Sequence, residues 1–157
     1  MSVFVELETI FTVTKEGLEI STDRSRLDRT LIHGYLSNRS YWARDIPFDV
    51  VDRSIDHSLN FGLYAGGEQL GYGRVITDRA TFAFLRDVFV VDDYRGRGLG
   101  TWLVATILRH PDLQGLRRFM LATRDAHPLY QRLGFQPLSR PDRFLARETS
   151  AKEAYAR

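Results

Sequence analysis

One stretch narrows the folds open to this chain more than any other: Val88-Phe89-Val90-Val91-Asp92-Asp93-Tyr94-Arg95-Gly96-Arg97-Gly98-Leu99-Gly100-Thr101-Trp102-Leu103. An apolar run suited to a buried strand passes into a loop with glycine at every second position. It then enters apolar residues at helical spacing (Leu99, Trp102, Leu103, Thr106, Ile107). Glycines allow positive φ and close approach of backbone to a ligand. A helix that opens directly after them presents unpaired N–H groups and a positive dipole end, a ready seat for a pyrophosphate. One dipole contact is worth about 0.3–1 kcal/mol, so several N–H bonds must supply most of the grip.

Two familiar nucleotide loops fail on spacing. A dinucleotide fold needs Gly-x-Gly-x-x-Gly and an acidic residue about 20 positions on. Here the third glycine arrives one residue early (Gly96, Gly98, Gly100), and Phe119-Met120-Leu121 stands where the acid belongs. A Walker loop needs Gly-Lys-Ser/Thr, and no lysine lies between Lys15 and Lys152. A tight strand-to-helix connection without ligand is the bland alternative.

Arg95-x-x-Gly98-x-Gly100 after such a strand resembles the coenzyme A pyrophosphate loop of the GNAT superfamily of N-acetyltransferases. Downstream, Leu129-Tyr130-Gln131-Arg132-Leu133-Gly134-Phe135 is similar to that family's Tyr-x-x-Leu-Gly-Phe element. The two motifs stand in family order, and the resemblance covers about residues 81 to 138.

The resemblance implies acetyl-CoA as co-substrate. The backbone of Val88, Phe89 and Val90 would pair with pantetheine, and the amides of Gly96, Arg97, Gly98, Leu99, Gly100 and Thr101, with Arg95 leading the motif, would cradle the pyrophosphate. A bulge near Asp92 would splay this strand from Arg118 to Thr123. That would bring the thioester carbonyl near the Val90 N–H, a donor for the developing oxyanion. Tyr130 matches the tyrosine that faces the cofactor sulfur. A phenol of pKa about 10 can hydrogen-bond or protonate a thiolate whose acid has a pKa of about 8.5. A core tyrosine on an amphipathic helix is the alternative.

Asp87 matches a position where family members often carry an acidic general base, and Arg86 or Arg124 offers a purely structural pairing for it. Thr123 stands where many members have an asparagine contacting pantetheine. His127 reads as a helix cap or exposed residue before a proton relay, and Asp125 as the N-cap of a helix from Ala126 to Leu133. The acceptor would sit against Asn38 to Asp45. There Tyr41 and Trp42 either close over a substrate or anchor the loop to the sheet.

Composition bounds the rest. With 43% hydrophobic and 27% charged residues the chain is globular, and its 157 residues suffice for one core. There is no cysteine, which excludes disulfides and an acetyl-cysteine intermediate. No two histidines fall at i, i+4, so no metal is expected. A formal charge of +2, though 20 of 22 basic residues are arginine, gives no basic stripe for a nucleic acid. No apolar run reaches the roughly 20 residues of a membrane span, and no signal-peptide pattern opens the chain. A cytoplasmic protein is expected, acting on a small-molecule or peptide amine, with a homodimer left open. A non-catalytic acyl-CoA-binding regulator is the main alternative. An RNA-associated or toxin-type acetyltransferase is a weaker one.

Periodicity gives one domain over residues 1 to 157. Residues 1 to 16 (Val3, Val5, Leu7, Ile10, Val13) form either an extra strand or an extension. After Leu18 to Thr22, a helix should start near Ser25 to Asp28 with Leu27, Leu31, Ile32 and Leu36 inward. A second helix carries Val50, Val51, Ile55 and Leu59. Strands 61–65 and 70–76 flank Gly66-Gly67-Glu68-Gln69. Strand 81–91, the helix from Gly98, strand 118–123 and a helix over 128–133 follow. Phe135 to Leu138 and Phe144 to Arg147 read as the last strands. The fold class is α+β (α/β), a mixed, mostly antiparallel sheet of six to seven strands with about four helices. Replacing Gly98 by valine should exclude the phosphate and leave the fold intact, which calorimetry with coenzyme A would check.

Overall fold

The computed structural model describes residues 8–156; Val3, Val5 and Leu7, read as part of a terminal strand, lie outside the described residues. Six strands among the described residues form one sheet in chain order: β1 (Thr12–Lys15), β2 (Leu18–Ser21), β3 (Leu59–Ala65), β4 (Glu68–Thr77), β5 (Phe82–Val90) and β6 (Arg118–Leu121). Only the β5–β6 pairing is parallel. Helices α1 (Arg29–Asn38), α2 (Phe48–Asp56), α3 (Leu99–Ile107), α4 (His127–Arg132) and α5 (Ala151–Tyr155) complete the described chain. The fold class is the expected one.

Sequence signals explain most boundaries. Asp28 caps α1 by accepting from the Leu31 N–H at 3.0 Å. Leu59 opens β3 instead of closing α2, because α2 ends at Asp56. The β3–β4 turn is two residues, Gly66-Gly67, with Ala65 opposite Glu68 and Gly66 at φ 59°. That is tighter than the four-residue turn expected.

The sheet is covered on both faces. Ile32, Tyr35, Leu36, Val51 and Ile55 of α1 and α2 pack with Tyr72 and Phe89 on one side. On the other, Leu103, Val104 and Ile107 of α3 pack against Phe61, Leu63, Val75, Ala83, Leu85 and Val90. Strand β5 changes parity between these faces. Ala83 and Leu85 face α3, yet so do Val88 and Val90. The register accounts for this: Tyr72 pairs with Phe89 and Arg74 with Arg86, leaving Gly73 opposite both Asp87 and Val88. This is a β-bulge, and its extra residue, Asp87, sits at φ 56°. The irregularity lies here and not near Asp92, where a short 3₁₀ turn covers Asp92–Tyr94.

The expected strands over 135–138 and 144–147 do not form. Those segments carry no ladder, and Leu145 is 99% exposed. Their sequences suit a strand, but pairing needs an edge, and the outer edge of β6 is held away from them across an open groove.

His110, 4% exposed, lies against the rings of Phe11 and Phe61 and accepts from the Asp112 N–H through Nδ1 at 3.1 Å. Burial pushes its pKa down. The unfolded chain therefore takes up a proton below about pH 6.5 more readily than the folded one. Its contribution is present above that pH and lost as the pH falls through it. Denaturant unfolding should show stability declining from pH 7 to 5, with a shallower slope in His110→Gln.

Candidate active site

Strands β5 and β6 pair only from Phe82–Leu85 to Arg118–Leu121. Beyond Leu85, β5 continues along β4 while the other chain turns away toward α4, so the sheet forks. The Val91 N–H bonds back to the Leu70 carbonyl at 2.8 Å. Alternation along the strand then turns the N–H and C=O of Val88 and Val90 to the opposite edge, into the fork. The bulge is what sets this parity.

A cleft of about 950 Å³ fills the fork. Val88, Phe89 and Val90 form one wall, Gly96, Gly98, Leu99, Gly100 and Thr101 one end, and Thr123 and Tyr130 the other wall. The two sequence motifs thus meet at one cavity, with Val90 and Tyr130 both lining it. Gly96 and Gly98 adopt φ 78° and 74°, and Gly98 is the N-cap of α3 with no side-chain cap bond. A Cβ built at Gly96, Gly98 or Gly100 meets no protein atom within 4 Å. The space before the first turn of α3 is open, and its N–H groups are free of a side-chain cap, so the loop fits a phosphate group.

Arg95 turns back to the protein: its guanidinium bonds the Tyr35 hydroxyl, and Nε lies 3.4 Å from the Val90 carbonyl. Tyr35 in turn stacks on Phe89 at 4.0 Å. Arg97 does not line the cleft and lies over the Tyr94 ring at 5.0 Å. Thr123 accepts from the Ala126 N–H at 3.1 Å, so it holds the turn into α4. Asp125 does not cap α4; its carboxylate sits 3.6 Å from Arg124. His127 is exposed at the start of α4 and faces the outer groove, not this cleft.

Tyr130 packs edge-on to Phe135 at 5.9 Å. Burial, then the Tyr41 phenol, pushes its pKa up, so the hydroxyl stays protonated at neutral pH.

Asp87 is paired with neither Arg86 nor Arg124. Its Oδ2 accepts from Arg74 Nε at 2.9 Å, and both side chains are nearly buried, at 8% and 11% exposure. Its Oδ1 accepts from Trp42 Nε1 at 2.9 Å. Arg74 escaped sequence reading because it partners a residue 13 positions away. The signal was there: one arginine inside the otherwise uncharged strand Leu70 to Ile76 demands a buried acid. Trp42 is thus anchored to the sheet. Tyr41 accepts from the Arg124 N–H at 3.0 Å and lies under the Arg124 guanidinium at 3.8 Å. The α1–α2 connection therefore reaches across the fork to the β6–α4 connection. Both Tyr41 and Trp42 line the cleft. Among the described residues no group of three or more His, Asp or Glu could hold a metal.

The sheet thus forks beside a glycine loop that caps α3. Residues 27–135, more than half the chain, match the acetyltransferase (GNAT) family, and the chain belongs to that family. A Xanthomonas campestris pv. campestris protein described as a candidate GNAT acetyltransferase has a crystal structure 50% identical in sequence. The match covers 89% of this chain and 97% of that one, with a TM-score of 0.84. A Gibberella zeae protein described as a candidate acetyltransferase is 33% identical over 74% of this chain and 77% of its own length. Glucosamine-6-phosphate N-acetyltransferase from Arabidopsis thaliana shares the fold at 16% identity, covering 91% of this chain and 100% of that one, with a TM-score of 0.56.

The φ of 74° at Gly98 changes the choice of probe, since a β-branched residue is strained there whatever the space. Gly100 has open space and no positive φ. Gly100→Val should weaken coenzyme A binding at least about tenfold by crowding the phosphate seat. Isothermal titration measures the loss, with circular dichroism showing an unchanged fold.

Proposed function

We propose that the protein transfers the acetyl group of acetyl-CoA to a primary amine, by direct attack while both substrates are bound. The observation that carries this reading is the meeting of the Gly96 to Thr101 loop, the Val88–Val90 edge and the Tyr130 phenol at one cleft. In this reading the loop amides hold the pyrophosphate and the inward edge of Val88 and Val90 pairs with pantetheine. The Val90 N–H stabilises the oxyanion as the amine nitrogen bonds to the carbonyl carbon. When the C–S bond breaks, Tyr130 gives its proton to the sulfur and is reprotonated from solvent, which receives the proton lost by the amine. In this reading the protein works in the cytoplasm, where acetyl-CoA is at hand, on a small-molecule or peptide amine.

Asp87, a candidate base, takes a different part. Both its oxygens are engaged by Arg74 and Trp42, so we assign it the positioning of β5. The amine then loses its proton to water in the cleft.

Tyr130→Phe should lower kcat by about 10²–10⁴-fold, the usual worth of a general acid. Binding of acetyl-CoA should change little, since the ring remains. Thiol release in an amine screen gives the rate, and unchanged turnover with chemistry rate-limiting would make the tyrosine structural. Binding without thiol release for any amine would favour a regulatory acyl-CoA sensor. Asp87→Asn leaves Arg74 uncompensated, a loss of about 3–5 kcal/mol for a buried pair. Its activity deficit should persist at high pH, whereas the deficit of a lost base shrinks there.

A further inference from the structure

Away from the glycine loop, the cleft ends in a surplus of cations. Phe84 and Arg86 alternate along β5 with Ala83 and Leu85, which face α3, so they lie on the other side of the sheet with Tyr41 and Trp42. All four line the cleft, as do Arg124 and Asp125. Arg86 stands opposite Arg74 across the ladder, where like charges repel. Only Arg74 is compensated, by Asp87. Among the described residues the Arg86 guanidinium makes no ion pair or hydrogen bond, and it lies 5.9 Å from the Phe84 ring. Arg124 is held over the Tyr41 ring at 3.8 Å, and its carboxylate neighbour is Asp125 at 3.6 Å. Both members of that pair are exposed, so it holds the guanidinium weakly. Two guanidiniums thus face one available carboxylate.

We propose that the acceptor amine carries a carboxylate, bound by Arg86 and Arg124, and that it is a free amino acid with an aromatic side chain. The inference rests on acetyl transfer to an amine and names its substrate. An amine arrives as an ammonium ion, and surplus guanidinium repels a simple cation or a polyamine. A carboxylate beside the amine cancels that charge and offers two oxygens to a guanidinium fork. The acceptor's ring then meets those of Phe84, Tyr41 and Trp42, the last two packed edge-on at 5.1 Å. Among the described residues that line the cleft there is no asparagine, glutamine or serine, the groups that would bond the hydroxyls of a sugar. In the transfer the amine nitrogen bonds to the acetyl carbon, and the C–S bond breaks with its electron pair on sulfur. Tyr130 protonates the sulfur, and the amine's proton goes to water. The products are an N-acetylated amino acid and coenzyme A.

Thiol release from acetyl-CoA is measured with L-phenylalanine, with L-phenylalaninamide, which keeps the skeleton and lacks the charge, and with spermidine and glucosamine 6-phosphate. L-Phenylalanine should exceed its amide in kcat/KM by at least about 100-fold, since a site built to bond a polar group rejects the analogue without it. The amide's amine loses its proton more readily, so intrinsic reactivity opposes that order. In Arg86→Gln and in Arg124→Gln the ratio of the two should fall at least about tenfold. Both rates come from one preparation, so any loss of folded protein cancels in the ratio. A wild-type ratio near one, a ratio unchanged in either variant, or a preference for spermidine or glucosamine 6-phosphate would overturn the proposal and leave acetyl transfer standing. Release with none of the four sinks it too. Titration with acetyl-CoA tells that result apart from failure of the transferase reading itself, in which nothing binds.

Discussion

The carboxylate of Asp87, held between the Arg74 guanidinium and the Trp42 indole, fixes the one extra residue of β5. Without that residue Val88 and Val90 would turn toward the α1–α2 layer, and Phe89 would leave its stack with Tyr35. With it, Val90 enters the α3 core while its backbone donor and acceptor face the fork. A residue at φ 56° is a local strain for a non-glycine side chain. The buried ion pair is what the surrounding structure sets against it.

The same layer braces the loop that seats phosphate. Arg95 reaches the Tyr35 hydroxyl, and Arg39 of the segment after α1 pairs with Asp92. Tyr35 lies on Phe89, the residue between the two whose backbone lines the fork. Helix α1 thus touches the strand edge and the glycine loop together. Tyr41 and Trp42, just beyond it, cross to the far wall through Arg124 and back to Asp87. The donor-side loop and the roof of the cleft share one mechanical support.

Legibility in the sequence followed range. The strand-to-helix passage at the glycine loop and the start of α1 near Asp28 are properties of neighbouring residues and were legible. The turn at Gly66-Gly67 closes two residues sooner than its glycine-rich sequence suggested. The convergence of the loop and Tyr130 was legible as well, because two motifs in family order carry the fold's topology with them. The bulge was misplaced to Asp92 because its cause is a pairing 13 residues apart that no periodicity reports. The bond to the Ala126 N–H comes from Thr123 and not from Asp125, since either short polar side chain suits the turn before α4 and only backbone geometry chooses. The strands expected at 135–138 and 144–147 had strand-like sequences but no edge within reach.

Arg74, Asp87 and Trp42 also bind the history of the chain. The three positions lie on β4, on β5 and in the α1–α2 connection, and loss of the Asp87 carboxylate takes the acceptor from both Arg74 Nε and Trp42 Nε1. A relative that keeps the forked sheet must keep an acid, its cation and an indole-like donor together or replace them together. One changed alone leaves a buried charge exposed to selection. These positions are expected to drift as a single inherited unit, more slowly than the acceptor-facing residues around them.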